Sequence, residues 1–180
     1  LPINDVAGMV GEGARILVER ALAAAGRDPK TPDALVRFMA IYDRRLLVNT
    51  RLYPGVLEMV RDLAARARLA VLTNKPEAPA RRLLDAFDLT PHFAWTIGGD
   101  SPFPRKPDPS ALRHLMTESG ASADRTLFVG DSMIDVQTAR NAGVRAARGE
   151  WLAFTDDDQT AETSWLWNLA YAQHKTGAHG

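Results

Sequence analysis

An apolar strand, a short polar turn and a helix follow one another in residues 126–143, TLFVGDSMIDVQTARNAG. The helix is closed by Gly143, the residue type most favoured just past a helix C-terminus. The same order occurs upstream in residues 68–87, RLAVLTNKPEAPARRLLDAF, and residues 93–97 and 109–119 add another strand and helix. Strands that alternate with helices predict a parallel α/β sheet with right-handed crossovers.

The first fifty residues predict helices instead of strands. Residues 14–25 and 35–46 each repeat apolar side chains at the spacing of one buried helix face. Between them, Thr31 and Pro32 predict a helix start, because a hydroxyl can cap the helix and proline suits its first position. We therefore expect an αα-hairpin that ends before residues 53–55, where the pattern changes.

The composition predicts a globular protein of one domain, or of one domain with a small satellite. The chain has 180 residues, 46% of them hydrophobic, with 22 basic and 22 acidic residues and no cysteine. A balanced charge gives no basic surface for nucleic acid or for an anionic membrane, and the absence of cysteine excludes disulfides and thiolate chemistry. No signal peptide or membrane span is recognisable, so we expect a cytoplasmic protein.

Four polar residues near the ends of the predicted strands suit the chemistry of phosphate esters. Thr73 offers a hydroxyl at a strand end, and Lys106 offers a charge on a proline-flanked loop. Asp131 and Asp135 lie four residues apart across a strand-to-helix turn, where both can face one cation. Singly, such residues are more often helix caps or solvated loop charges. Their order on these elements indicates a common site at the carboxyl edge of the sheet.

Three stretches resemble consecutive motifs of the haloacid-dehalogenase-like hydrolase superfamily: VLTNKP at 71–76, KPDP at 106–109 and GDSMID at 130–135. Residues 5–50 resemble the α-helical cap of that superfamily. The stretches that resemble its phosphoglycolate phosphatase branch are VGEGAR at 10–15, YPGV at 53–56 and GGD at 98–100. The resemblance covers about residues 3–147.

The resemblance implies an α/β fold, a Rossmann-like parallel sheet with an α-helical cap. Residues 1–50 would be part of the cap, residues 51–146 the core with motifs two to four, and residues 147–180 an atypical tail. The cap would lie over the active site, and the glycines of residues 10–15 would either face the substrate or form a turn into a helix.

The resemblance also implies the activity and the roles of the residues. The expected reaction is Mg²⁺-dependent hydrolysis of a small phosphorylated metabolite through an aspartyl-phosphate. Thr73 and Lys106 would be catalytic, Thr73, Asn74 and Lys106 would bind the substrate, and Asp131 and Asp135 would serve the metal. Neither nucleic acid nor a membrane is an expected partner, and the pattern leaves the oligomeric state open.

The first superfamily motif, DxDGT, should precede the cap and supply the nucleophile, but the sequence begins within the cap. We therefore expect the first core strand to be missing from its usual place and the chain to be truncated or inactive. A non-catalytic remnant that keeps a phosphate pocket is the alternative.

The tail departs from the superfamily pattern. Residues 147–158, ARGEWLAFTDDD, resemble the strand and acidic motif of family 2 glycosyltransferases, which favours a chimera with a fragment of such an enzyme. Alternatively, DDDQT at 156–160 is a displaced first motif, in which case the chain is a circularly permuted phosphatase with Asp156 as nucleophile. Gln159 in place of the usual glycine counts against that alternative. A solvated acidic loop is the plainest interpretation.

Overall fold

The computed structural model describes residues 1–146 of the chain. Its first part contains α1 (Ile3–Ala7), α2 (Ala14–Ala24) and α3 (Ala34–Arg45). Helices α2 and α3 pack against each other. The predicted αα-hairpin is therefore confirmed.

Helix α3 begins later than the Thr31 and Pro32 pair predicted. The Thr31 hydroxyl donates to the carbonyl of Asp28 at 2.6 Å, so it closes a turn before the helix. Asp33 follows in the left-handed conformation, with φ 60°, and the helix starts at Ala34. The predicted start was wrong because the local turn uses the hydroxyl that a cap would need.

The remaining elements alternate between helices and strands as predicted. They are α4 (Val56–Ala64), β1 (Leu69–Leu72), α5 (Glu77–Ala86), β2 (Phe93–Ile97), α6 (Ser110–Ser119), β3 (Leu127–Phe128), α7 (Met133–Ala142) and β4 (Arg145–Ala146). Gly120 and Gly143 close α6 and α7 in the left-handed conformation, as their positions predicted. Helix α4 and strand β4 were not predicted.

The strands form two parallel pairs, β1 with β2 and β3 with β4. The parallel sense is confirmed, but one continuous sheet was expected. Within residues 1–146 the hydrogen-bonded ladder is interrupted between the two pairs. Each of these four strands therefore has one edge with no described strand beside it.

The β1–β2 pair is covered by helices on both faces. One core cluster joins Val56 and Val60 of α4 to Leu84 of α5, with Leu69, Val71 and Phe93 packed against it. The other joins Ile97 to α6, with Leu72 and Trp95 packed against it. Phe93 and Trp95 would share a face of a regular strand, but the register shifts between Leu69 and Ala70, whose partners are Phe93 and Trp95. This bulge allows β2 to place side chains in the core on both faces of the pair.

In the described part of the chain, no helix combines the length and the apolar character needed to cross a bilayer.

Candidate active site

The Lys106 loop is fastened to the end of β1 by one side chain. The backbone N–H of Lys106 donates to Oδ1 of Asn74 at 2.9 Å, and Nδ2 of Asn74 donates to the carbonyl of Lys106 at 3.1 Å. The next peptide bond, Lys106–Pro107, is cis. The loop that follows β2 is thereby held at the carboxyl end of β1.

The Lys106 side chain reaches from this loop to α7. Its ammonium donates to Oδ1 of Asp135 at 2.6 Å and lies 5.7 Å from the ring centroid of Phe128 in β3. The side chains of Lys106 and Asp135 are only 13% and 5% exposed. An ion pair so far removed from water interacts more strongly than a surface pair, and its two members are costly to separate.

The other carboxylate oxygen of Asp135 closes the start of α7. Oδ2 accepts from the backbone N–H of Ser132 at 3.1 Å and from its hydroxyl at 2.7 Å, in a reciprocal capping box. Burial by itself raises the pKa of Asp135, but the Lys106 charge and the hydrogen bonds from Lys106 and Ser132 outweigh it, so the pKa lies below its ordinary value. Asp135 is therefore a fixed anion.

Gly130 makes this arrangement possible. A Cβ at position 130 would collide with the Asp135 side chain, so only glycine leaves room for the carboxylate. Asp131 follows on the same turn, and its side chain is exposed. Among residues 1–146, no group of three or more acidic or histidine side chains is placed to hold a metal ion. The carboxylates that this turn contains are those of Asp131 and Asp135.

Thr73 follows β1 directly. Its backbone N–H donates to the carbonyl of Ile97 at 3.0 Å, which extends the pairing of β1 with β2 by one residue. Its hydroxyl oxygen accepts from the N–H of Lys75 at 3.1 Å. A hydroxyl that accepts through its oxygen still has its own hydrogen to donate, so Thr73 can bind an anionic oxygen.

The loop between α1 and α2 contacts the same turns through backbone carbonyls. Nδ2 of Asn74 donates to the carbonyl of Gly11 at 3.2 Å, and Nη1 of Arg105 donates to the carbonyl of Glu12 at 3.3 Å. Arg105 also donates through Nε to the carbonyl of Gly99 at 2.8 Å. The glycines between α1 and α2 therefore lie against two loops at the carboxyl edge of the sheet, the Asn74 turn and the Lys106 loop.

A second contact joins α3 to the strand-end turn. The Lys75 ammonium is hydrogen-bonded to the Tyr42 hydroxyl and lies 5.0 Å from the centroid of its ring. The next residue of α3, Asp43, forms an ion pair with Arg82 of α5. Helix α3 is thus connected to the α/β part by two side-chain pairs.

The structure therefore brings together three of the five predicted site residues, Asn74, Lys106 and Asp135. That Thr73 and Asp131 share one cleft with them stays a prediction. Sequence reasoning missed Ser132 and Arg105. The Ser-x-x-Asp spacing of a capping box was readable at Ser132, whereas nothing in the sequence indicated the carbonyl contacts of Arg105.

A family model described as haloacid dehalogenase-like hydrolase matches residues 1–143. A second, described as glycosyl transferase family 2, matches residues 135–180, most of which lie outside the described residues. The two matches overlap at residues 135–143.

Relatives and solved structures agree with the first match. The chain is 46% identical over 153 residues to a phosphoglycolate phosphatase of Rhodospirillum rubrum, covering 79% of this chain. It is 42% identical over 152 residues to phosphoglycolate phosphatase 1 of Pseudomonas aeruginosa, covering 81% of this chain. It spans 64% and 55% of the lengths of these relatives.

A crystal structure of a predicted phosphoglycolate phosphatase from Haemophilus somnus superposes with a TM-score of 0.75 at 33% identity. The superposition covers 81% of this chain and 68% of the crystallised one. The similarity of fold thus extends over most of this chain.

Proposed function

This chain belongs to the haloacid dehalogenase-like hydrolase family, and on that premise we propose that it carries the phosphate-binding part of a phosphatase. The proposed substrate is phosphoglycolate or a similar small phosphorylated acid, in line with the relatives named phosphoglycolate phosphatase. One observation supports this above all others. Lys106 is fastened by its backbone to the turn after Thr73, while its ammonium is held beside the Asp131 turn by Asp135.

Each residue has a proposed role that its contacts allow. The Thr73 hydroxyl and the backbone N–H of Asn74 would donate to phosphoryl oxygens, as donors at a strand end do in many anion sites. An ammonium has three N–H donors, so Lys106 can keep its bond to Asp135 and still donate to a phosphoryl oxygen. Lys106 would thereby offset the charge of the group that is transferred, and Thr73 and Lys106 together would orient it.

The carboxylates of the Asp131 turn fit Mg²⁺ in their chemistry. Mg²⁺ prefers oxygen ligands and is commonly held by one or two carboxylates together with waters and phosphate oxygens. We propose Asp131, which is exposed, as the direct ligand and Asp135, which is fixed by Lys106 and Ser132, as its support. When bound, the ion would offset the negative charge of the phosphoryl oxygens.

The proposed hydrolysis proceeds through an aspartyl-phosphate. A carboxylate oxygen attacks phosphorus, the bond from phosphorus to the ester oxygen breaks, and the leaving alkoxide takes up a proton. Water then cleaves the acyl phosphate, which releases inorganic phosphate and restores the carboxylate. Residues 1–146 contain no DxDGT motif to supply this carboxylate. The described residues therefore bind and orient the phosphate, and the permuted alternative assigns the attack to Asp156, outside the described residues.

We further propose that residues 1–50 form part of a cap and residues 51–146 the core. A cap should lie against the site loops, and the contacts of Gly11 with Asn74 and of Glu12 with Arg105 support that position. A small phosphorylated metabolite as substrate favours a cytoplasmic location. The overlapping match to glycosyl transferase family 2 supports the alternative of a chimeric chain with a non-catalytic phosphate pocket.

Binding of inorganic phosphate to the 180-residue chain tests the proposal. We expect Lys106→Ala to weaken the affinity by about tenfold or more, because it removes the charge that would face the anion. Lys30→Ala is the matched control, since Lys30 is exposed on the turn before α3. Equal phosphate affinity in the Lys106→Ala and Lys30→Ala variants would refute the phosphate site.

Turnover of phosphoglycolate with Mg²⁺ separates the alternatives. For the 180-residue chain alone we expect little or no hydrolysis, because charge and metal without a nucleophile cannot form the aspartyl-phosphate. Robust turnover that Asp156→Asn abolishes would establish the permuted alternative. Robust turnover that Asp156→Asn leaves unchanged would contradict both accounts.

A further inference from the structure

The Asn74 side chain, expected to bind substrate, is occupied by the protein itself. Asn74 is only 6% exposed. Nδ2 donates to the carbonyls of Gly11 and Lys106, and Oδ1 accepts from the N–H of Lys106. Both N–H groups of the amide are thereby used, and its oxygen already has one donor. A buried amide so bonded has little left to offer a ligand.

The two bonds to Lys106 determine how that residue is oriented. They engage the N–H and the carbonyl of the same residue, so they fix the peptide units on both sides of its Cα. At the other end of the side chain, Asp135 holds the ammonium at 2.6 Å. Asn74 thus fixes where the lysine side chain starts, and Asp135 fixes where it ends.

The third bond of Asn74 leads to the loop between α1 and α2. Gly11 has φ +119°, a conformation that side chains rarely adopt, and its carbonyl faces the amide. Two residues on, an added Cβ at Gly13 would lie 2.8 Å from Nη1 of Arg105 and 3.2 Å from the carbonyl oxygen of Asn74. Close packing at Gly13 and the bond from Arg105 to Glu12 hold this loop against the Asn74 turn.

We propose that Asn74 is a positioning residue, which orients Lys106 for the phosphoryl group and couples that orientation to the loop between α1 and α2. The inference rests on the proposed function, because it gives Asn74 its effect through the phosphate contact of Lys106. Displacement of the loop at Gly11 removes one of the three bonds that hold the amide. Phosphate affinity therefore depends on a residue that does not touch phosphate with its side chain.

A double-mutant cycle on phosphate binding tests the coupling. We expect Asn74→Ala to weaken the affinity of the 180-residue chain for inorganic phosphate by about tenfold. In the Lys106→Ala background the same change should have an effect of less than about twofold, because the group it positions is gone. An undiminished effect in that background would overturn the proposal, since Asn74 would then act on phosphate directly or through the fold.

Asn141→Ala is the matched control. Its amide donates to the carbonyl of Pro107 at 3.0 Å, one residue beyond Lys106, but from an exposed position on α7. We expect its phosphate affinity to stay within about twofold of the unmodified chain. If Asn74→Ala does not fold, Asn74→Ser serves in the same cycle, because serine keeps a polar group yet is too short to reach both Lys106 groups.

The outcomes separate this inference from the proposed function. No effect of Lys106→Ala on phosphate binding refutes the phosphate site itself. A strong effect of Lys106→Ala with none of Asn74→Ala, or with an equal effect of Asn141→Ala, refutes the positioning role alone. Hydrogen exchange adds a second readout at the two ends of the loop, where the amides of Val10 and Leu17 donate to the carbonyls of Ala7 and Gly13. Asn74→Ala should accelerate exchange at these two amides, and Asn141→Ala should not. Unchanged exchange there would contradict the coupling to the loop.

Discussion

Single residues differ widely in what their charges contribute. The Lys106–Asp135 pair is almost buried, whereas the side chains of Arg82 and Asp43 are 46% and 55% exposed. Exposed pairs typically contribute less than about 1 kcal/mol, while leaving one member of a buried pair alone costs about 3–5 kcal/mol. We therefore expect Asp135 to contribute to stability through its pair with Lys106.

The low pKa of Asp135 makes part of the stability sensitive to acid. A carboxyl whose pKa is lower in the folded than in the unfolded state stabilises the fold above its unfolded pKa, and this contribution is lost as the pH falls through the folded pKa. We expect the difference in unfolding free energy between the unmodified chain and Asp135→Asn to be constant above about pH 5 and to shrink below about pH 4. Denaturant titrations at several pH values measure it.

Asp43→Asn is the control for the pH series, because Asp43 makes an exposed pair. The unfolding free energy of the Asp43→Asn variant should differ from that of the unmodified chain by less than about 1 kcal/mol at every pH. A difference for Asp135→Asn that persists unchanged to about pH 2 would show that its charge is not the source of the stabilisation.

Gly130→Ala should displace the Asp135 carboxylate, since the added Cβ would occupy its position. We expect a loss of about 1–3 kcal/mol in unfolding stability, the usual cost of overpacking, together with weaker phosphate binding. Gly8→Ala is the comparison: its Cβ would lie 3.8 Å from the nearest atom, the carbonyl oxygen of Asp5. Equal stability of the two variants would disprove the steric role of Gly130.

Among the elements, α7 shows how one helix start serves two purposes. Its capping box uses Ser132 and Asp135, and the carboxylate that completes the box also holds Lys106. The cap at the start of the helix thereby also holds the Lys106 ammonium. The start of helix α5 is capped from outside the helix. The N–H of Glu77 donates to Oδ1 of Asp100 at 2.7 Å, and Asp100 lies in the loop after β2.

Ser132→Ala should destabilise the chain by about 1 kcal/mol, the usual effect of losing an N-cap hydroxyl. The hydroxyl both donates to Asp135 Oδ2 and accepts from the Asp135 N–H. Ser119→Ala is the matched variant, because that hydroxyl only donates to the carbonyl of Met116 within its own helix. Chemical denaturation should separate the two; an equal effect would mean that the capping box contributes nothing beyond a surface hydroxyl.

At the scale of the whole molecule, the described strands form two separate pairs, so β2 covers only one edge of β1. Backbone N–H groups alternate in direction along a strand, and the Thr73 N–H points to β2. The N–H of Val71 therefore shares that side, while those of Ala70 and Leu72 face the other edge. No strand of residues 1–146 covers that edge.

Hydrogen exchange along β1 should accordingly alternate. We expect slow exchange at Val71 and Thr73 and at least about tenfold faster exchange at Ala70 and Leu72, because amides without a bonded partner lack protection. The measurement compares neighbours within one strand, so global stability cancels. Strong protection at Ala70 and Leu72 would reveal a strand on the edge of β1, from the rest of the chain or from another molecule.

The sequence by itself determined the alternation of strands with helices, the parallel sense of the strands and the ends of the helices closed by Gly120 and Gly143. These features depend on periodicity and on backbone conformation, which are local properties of the chain. The motifs that resemble those of phosphatases could likewise be recognised in the sequence, because their residues lie at fixed offsets from strand ends. The start of α3 could not be predicted. The Thr31 hydroxyl can either cap a helix or bond the carbonyl of Asp28, and the sequence does not show which of the two it does.

Only the tertiary structure decided the partners of the site residues. Asn74 bonds Gly11 and Lys106, which are 63 and 32 positions away, and the Lys106 ammonium bonds Asp135, 29 positions away. Such contacts depend on how strands, helices and loops pack, and packing is a property of the whole fold. The sequence thus indicated the candidate residues, and the packed structure showed that the side-chain amide of one of them, Asn74, is bonded to Gly11 and Lys106.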